Sequence, residues 1–115
     1  MNMPDALRQF KAQLFQALAH PTRIAILEAL REGERTAGQL QTSLQVEQAN
    51  LSQHLAVLRS RQVVVNRKAG NQVHYALSHP VFIEVLDLLK QHFYAQLTET
   101  VSVLQALDRD ERGRI

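Results

Sequence analysis

Apolar residues recur every three or four positions along much of the chain, which predicts a mainly helical fold. We expect a first helix from Asp5 to Ala19, with Asp5 as its N-cap and residues 1–4 as a loose tail. A second helix should begin near Pro21 and stop at Gly33, because Pro suits a first turn and Gly a helix end. The apolar positions of these two helices are Leu7, Phe10, Leu14, Leu18, Ile24, Leu27 and Leu30.

Two shorter helices follow, with a turn between them. Thr36 is the expected N-cap of the third helix, in which Leu40 and Leu44 face inward. Residues 45–48 form the turn, and a fourth helix covers about residues 47–60. Its inward positions follow the i, i+4, i+7 pattern of a core face, and they are Leu51, Leu55 and Leu58. This pair of helices predicts a helix-turn-helix.

A β-hairpin is predicted directly after the fourth helix. Val63–Arg67 and Gln72–Leu77 are rich in strand-forming residues, and Lys68-Ala69-Gly70-Asn71 joins them. Basic residues thus stand at the expected tip. We call residues 63–77 the wing, because a short helix followed by such a hairpin is typical of a winged helix-turn-helix.

A long C-terminal helix is predicted over about residues 79–107, with Ser78 as its N-cap and a frayed, charged end, DRDERGRI. It is too long for the rest of a small domain to cover, so we expect a partner. The first helix is equally apolar, which predicts a twofold homodimer through the N- and C-terminal helices. The expected contacts are Leu7, Phe10, Leu14, Phe82, Leu86, Leu89, Phe93, Leu97 and Leu104. The fold class is therefore mainly α, a single winged helix-turn-helix domain over residues 1–115 with five helices.

Composition narrows the class of protein. The net charge is only +2, yet residues 36–77 carry four Lys or Arg against one acid, and residues 78–115 carry four against six. The positive balance lies where a nucleic acid would bind. The chain has no cysteine, which excludes disulfides and thiolate metal sites and agrees with a cytoplasmic location. No apolar run reaches the ~18 residues that cross a bilayer, and no leader segment is recognised, so we expect no membrane association.

The outer face of the fourth helix carries small and amide side chains, which suit the major groove of DNA. Basic residues beside it and at the hairpin tip would contact the DNA backbone or the adjoining minor groove. The predicted DNA-binding residues are Gln48, Ala49, Ser52, Gln53, His54, Arg59, Arg61, Arg67, Lys68 and Asn71, with Ala56 on the same face. His54 lies beside the apolar stripe, and a structural role for it is an equal alternative.

Three segments carry a family resemblance: LFQALAHPTRIAILEAL at 14–30, LSQHLAVLR at 51–59 and VVVNRKAGNQVHYAL at 63–77. Together they resemble the ArsR/SmtB family of bacterial winged-helix repressors, over about residues 7–95. The resemblance implies a homodimer that binds operator DNA and releases it when an effector, often a metal ion, binds. It also implies that residues 47–60 are the reading helix and 63–77 the wing.

The chain departs from the metal-binding patterns of that family. Where many members have Cys-x-Cys at the start of the third helix, this chain has Thr36 and Gly38. Other members bind zinc, cobalt or nickel between C-terminal helices, and of the matching positions His79, Val81, His92 and Ala95 only the two histidines could ligate. Two histidines without a carboxylate make a poor site. We therefore expect no cofactor and interpret these histidines as capping or packing residues.

A further departure is Gln62, which stands where the family commonly has Gly at the end of the fourth helix. Gly tolerates the left-handed conformation that Gln disfavours. We expect the join between helix and wing to differ in geometry.

The sequence thus predicts a sequence-specific transcriptional regulator, a homodimeric repressor that binds double-stranded operator DNA. A signal without thiolate chemistry would release it. A small molecule, a partner protein or the protein's own abundance stay open as that signal. The alternative is a winged-helix module for protein interactions, against which the basic wing argues. An enzyme is not expected, because the chain has no phosphate loop and no Ser/His/Asp or Cys/His set.

Overall fold

Helices supply most of the secondary structure in the computed structural model, which describes residues 2–113. The elements in this range are α1 (Met3–Leu18), α2 (Pro21–Ala29), β1 (Arg35–Thr36), α3 (Ala37–Leu44), α4 (Gln48–Ser60), β2 (Val64–Ala69), β3 (Gln72–Leu77) and α5 (Val81–Gly113). The chain divides into two units, one ending at Ile83 and one beginning at Glu84. The winged helix-turn-helix architecture is confirmed, whereas a single domain over residues 1–115 stays a prediction.

The first helix begins earlier than predicted. Asn2 is its N-cap, because the side-chain Oδ1 of Asn2 accepts a hydrogen bond from the backbone N–H of Asp5 at 2.9 Å. Asp5 lies in the first turn, where a negative charge is favourable, and it forms an ion pair with Arg8 at 3.0 Å. The prediction of Asp5 as the N-cap is wrong, and so is the loose tail for residues 2–4. Residue 1 lies outside the described residues.

The core of the first unit is built mainly by α2, α3, α4 and the start of β2, which pack on one another. The leucines predicted from their spacing on α4 are buried, as are Leu27, Leu30 and Leu40. The buried apolar residues are Ala17, Leu18, Ile26, Leu27, Leu30, Leu40, Leu51, Leu55, Leu58, Val63, Val64 and Ile83. Helix α2 starts at Pro21 as predicted but ends at Ala29, and Gly33 lies beyond it in the turn with φ 139°.

The sheet has three strands instead of the predicted two. β3 is central, with β1 on one side and β2 on the other, and both pairings are antiparallel. β1 consists of only two residues, of which Thr36 pairs with His74. β2 extends to Ala69, so the turn of the wing is Gly70–Asn71 rather than four residues. Gly70 has φ 63°, as the first position of a two-residue hairpin turn often requires.

The end of α4 shows how the chain manages without Gly at position 62. Gln62 adopts φ 58°, in the left-handed region. Its N–H donates to the carbonyl of Arg59 at 2.9 Å, and the N–H of Val63 donates to the carbonyl of Leu58 at 2.9 Å. This pattern is a Schellman motif, completed by the two buried side chains of Leu58 and Val63. The left-handed helix end is therefore kept, and the expected change in geometry is not seen at this residue.

Helix α5 differs from its prediction at both ends. Nδ1 of His79 accepts a hydrogen bond from the N–H of Val81 at 3.0 Å, so His79 occupies the capping role given to Ser78. The hydroxyl of Ser78 donates instead to the carbonyl of Gln62. The helix continues to Gly113, and within it Arg112 pairs with Asp108 at 3.2 Å, one turn apart. Its 33 residues span about 50 Å.

No helix within residues 2–113 is both long enough and apolar enough to cross a membrane.

Candidate DNA-binding surface

Helix α4 separates a buried face from an exposed one, as its sequence predicts. Leu51, Leu55 and Leu58 are at most 2% exposed and hold the helix against the core. The opposite face carries no acidic side chain. Among its exposed residues we call Gln48, Ala49, Ser52, Gln53, Ala56 and Arg59 the reading face. Amide, hydroxyl and methyl groups on one helix face can contact base edges in a major groove.

The start of α3 is fixed by a capping box. The hydroxyl of Thr36 accepts from the N–H of Gln39 at 3.1 Å, and the side chain of Gln39 accepts from the N–H of Thr36 at 2.9 Å. Because Thr36 also belongs to β1, the same residue starts the helix and joins the sheet. Helix α3 and the wing are therefore connected through the main chain of Thr36.

A cleft of about 330 Å³ lies where α3, the reading face and the wing turn meet. Two residues predicted to bind DNA from different elements, Gln48 and Asn71, line it together. Its lining residues are Thr36, Ala37, Gly38, Gln48, Asn71, Gln72 and Val73. The structure thus brings the start of the reading helix beside the tip of the hairpin, and contact of these residues with DNA stays a prediction.

The cations of the wing are placed differently from the prediction. Arg67 lies within β2, opposite His74, and not at the hairpin tip. Its Nε donates to Oε2 of Glu34 at 3.1 Å and its Nη2 to Oε1 at 2.6 Å. The hydrogen bonds between these two side chains are the main reason why the pKa of Glu34 lies below its usual value and the pKa of Arg67 lies above its own. Lys68 is exposed one residue nearer the turn.

The two arginines at the end of α4 diverge. Arg59 is exposed on the reading face. Arg61 reaches α1 instead, where its Nη1 donates to Oε1 of Gln13 at 3.2 Å. It lines a cleft of about 230 Å³ together with Phe10, Gln13, Leu14, Ser60 and Gln62. Contact of either arginine with DNA stays a prediction, and the position of Arg61 favours it less.

His54 lies in a cluster of polar groups between helices. Its ring centroid is 4.3 Å from that of His20, and Nη1 of Arg23 lies 3.3 Å from its Nδ1. Burial, followed by the nearby His20 and Arg23, lowers the pKa of His54. His20 also caps α2, because its Nδ1 accepts from the N–H of Thr22 at 3.1 Å. The geometry favours the structural interpretation of His54, while contact with DNA stays untested.

Sequence reasoning missed the role of Arg23. Its Nε donates to the carbonyl of Ala17 at 2.6 Å, and Nη2 to that of Gln16 at 3.4 Å, at the C-terminal end of α1. One guanidinium therefore joins the end of α1 to α2 and to His54 of α4. The available signal was the Ala-His-Pro-Thr-Arg segment, which served only as a mark of family resemblance.

The two candidate metal ligands are in dissimilar settings. Nδ1 of His79 is already used as a helix cap, and His92 is exposed on α5. Within residues 2–113 no group of three or more His, Cys, Asp or Glu side chains could hold a metal ion.

The residues predicted to form a dimer are mostly accessible. On α1, Leu7 and Phe10 are exposed and Leu14 is half-buried. On α5, Phe82 and Leu86 are half-buried, whereas four further positions are exposed, namely Leu89, Phe93, Leu97 and Leu104. Each helix thus presents apolar surface of the kind that a partner covers.

A helix-turn-helix with an exposed polar reading face and an adjoining β-hairpin defines a winged helix-turn-helix DNA-binding domain. Residues 20–64 match the sequence model of the bacterial regulatory proteins of the arsR family. An uncharacterized HTH-type transcriptional regulator of Mycobacterium tuberculosis, Rv0081, is 40% identical over 104 residues, which cover 90% of this chain and 91% of that protein. The chain belongs to the ArsR family of transcriptional regulators, and its class as a regulator rather than an enzyme is confirmed.

Similar solved structures support the same assignment. The crystal structure of Rv0081 matches with a TM-score of 0.74, covering 83% of this chain and 96% of that one. The solution structure of Mb0332 from Mycobacterium bovis, a homodimeric winged helix-turn-helix DNA-binding domain, matches with a TM-score of 0.76 at 25% identity, covering 84% and 90%. Among relatives found by sequence, the HTH-type transcriptional repressor SmtB of M. tuberculosis is 39% identical over 85 residues, which cover 73% of this chain and 63% of that protein.

Proposed function

We propose that this protein is a homodimeric repressor that recognises a pseudo-palindromic operator through the reading face of α4. The observation that carries the proposal is the reading face itself. Its exposed amide, hydroxyl and methyl groups project from a helix whose other side is locked into the core. A rigid helix with short outer side chains can approach base edges closely.

Dimerisation would supply the twofold symmetry that a pseudo-palindrome requires. The exposed apolar side chains on α1 and α5 support it, as does the homodimeric state of Mb0332. Repression is favoured because a relative, SmtB, is named as a repressor.

The releasing signal would act without thiolate chemistry, since the chain contains no cysteine. A small organic ligand or a partner protein would fill this role. A pair of ligands at His79 and His92 is disfavoured because the first already spends one ring nitrogen on capping α5.

The test is selection of binding sites from a random duplex pool, followed by titration of the selected duplex and an unrelated one at fixed salt. Gln53→Ala or Ser52→Ala should relax discrimination at one or two base pairs, by about tenfold or more. The matched control is Gln9→Ala, an exposed amide on α1, which should leave discrimination unchanged.

Unaltered discrimination in both reading-face variants would show that another surface reads the bases. If the unmodified protein selected no sequence, the protein-interaction module would become the better interpretation.

A further inference from the structure

Glu34 lies just before β1 and interacts with two residues of the wing. Its carboxylate accepts two hydrogen bonds from Arg67 of β2, and its Oε1 lies 3.1 Å from Nδ1 of His74 on β3. Arg67 and His74 are partners in the register, and Thr36 is the partner of His74 on the other side. Glu34 is two residues from Thr36, so strand alternation puts all these side chains on one face of the sheet.

The contact occupies the part of Arg67 that recognises anions best. Nε and Nη2 form one edge of the guanidinium, and both donate to the two oxygens of Glu34. The same two-point geometry is what an arginine presents to a phosphate. While Glu34 holds this edge, a DNA phosphate has access only to the remaining N–H groups.

The charge balance of the wing makes this contact consequential. Residues 63–77 contain two Lys or Arg, Arg67 and Lys68, and no Asp or Glu. Glu34 therefore brings a negative charge to a surface that has none of its own. Its hydrogen bonds from Arg67 lower its pKa, so the carboxylate is ionised at neutral pH.

We propose that Glu34 competes with DNA phosphate for Arg67 and thereby restrains the affinity of the wing for the DNA backbone. On an unrelated duplex the carboxylate would keep this guanidinium edge from phosphate, so the contact would form only when Glu34 is removed. His74 would stay beside Oε1, and because a carboxylate can only accept, an N–H at Nδ1 of His74 would supply it with a donor. This inference rests on the proposed DNA binding. Its consequence is weaker sequence-independent binding, which leaves more of the protein free to find its operator.

The test compares Glu34→Gln with Glu32→Gln, which removes the same charge from an exposed acid two residues away. Binding of each protein to an unrelated duplex is measured over a series of salt concentrations. Glu34→Gln should bind several-fold more tightly, and the slope of log K against log salt should steepen by about one, as for one added phosphate contact. Glu32→Gln should leave the slope of the unmodified protein unchanged. Arg67→Ala should cancel the gain when combined with Glu34→Gln.

Equal slopes for the two glutamine variants would overturn the proposal, and so would weaker binding by Glu34→Gln at an unchanged urea midpoint. Weaker binding by Glu34→Gln would mean that Glu34 helps DNA binding by orienting Arg67. Failure of the unmodified protein to bind any duplex would instead refute the proposed function, so the two failures are distinguishable.

Discussion

Nδ1 of His54 accepts a hydrogen bond from Nη1 of Arg23, across 3.3 Å. A guanidinium has only donors, so this hydrogen bond forms only when the ring nitrogen is unprotonated, as it is in a neutral tautomer of His54. The same guanidinium bonds the carbonyl of Ala17 at the end of α1. The neutral imidazole is thus part of the junction between three helices.

The junction makes stability depend on pH. Because the folded state lowers the pKa of His54 below the ordinary 6.5, the unfolded chain takes up the proton first as the pH falls. The stability that neutral His54 contributes is fully present above the ordinary pKa of histidine and is lost as the pH falls through the lowered pKa of the folded state. Urea unfolding at about pH 7.5 and about pH 5.5 should show lower stability at the acid pH, by less than ~1.4 kcal/mol per pH unit from this group.

His54→Gln, which can still accept from Arg23 but does not titrate, should flatten this dependence. The same substitution at the exposed His92 is the control and should change the slope less. If the unfolding free energy of His54→Gln depended on pH as steeply as that of the unmodified protein, a group other than His54 would be taking up the proton.

The left-handed residue after α4 offers a stabilising substitution. Gln62→Gly should raise the free energy of unfolding by about 0.5–1 kcal/mol, since a Cβ is disfavoured at φ 58°. Urea denaturation measures the gain, and Gln62→Ala, which keeps the Cβ, should not show it. Loss of stability in the glycine variant would mean that the glutamine side chain contributes more by packing than its conformation costs.

The capping box of α3 should be worth about 1 kcal/mol. Thr36→Ala removes the acceptor for the N–H of Gln39 and should lower the free energy of unfolding by about that amount. Thr36→Ser keeps the hydroxyl and should retain most of the stability. If serine were as damaging as alanine, the β-branched side chain in β1, rather than the cap, would be responsible.

The apolar face of α5 should control self-association. Phe93→Glu places a charge on a side chain that is 54% exposed, and it should weaken a dimer at least tenfold. Burying a phenylalanine contributes ~1.5–3 kcal/mol, and each ~1.4 kcal/mol is a factor of ten. Sedimentation velocity over a dilution series measures the dissociation constant. Gln91→Glu adds the same charge to the same helix as a control, and an equal shift in both variants would locate the interface elsewhere.

The sequence predicted the elements whose periodicity is long enough to recognise. The leucines of α4 and the cap at Thr36 were found because each follows a local rule. β1 was missed because two residues carry no periodicity, and without β1 the partner of Arg67 had no place in the predicted fold. Glu34 and Arg67 are far apart in the chain, so only the folded sheet brings them together.

The prediction for the C-terminal end of α5 differs from the structure for another reason. The charged segment DRDERGRI was interpreted as frayed, but its first six residues, 108–113, are helical, and within them Asp108 and Arg112 are spaced one helical turn apart and pair. Residues 114 and 115 lie outside the described residues. Likewise, Ser78 is a favourable cap by residue type, but its hydroxyl bonds Gln62, and His79 takes the position. Residue preferences therefore predicted a side-chain cap before α5 correctly but assigned it to Ser78 rather than His79.

Thr36 has one further consequence. Because it both caps α3 and pairs with His74 of β3, one residue joins the hairpin to the helix-turn-helix. We expect this junction to hold the reading helix and the wing at a fixed distance from each other. A DNA duplex whose contacted base pairs and phosphates are spaced differently would have to twist or bend to fit. The stiffness of base pairs that no side chain touches would then affect which DNA sequence the protein prefers.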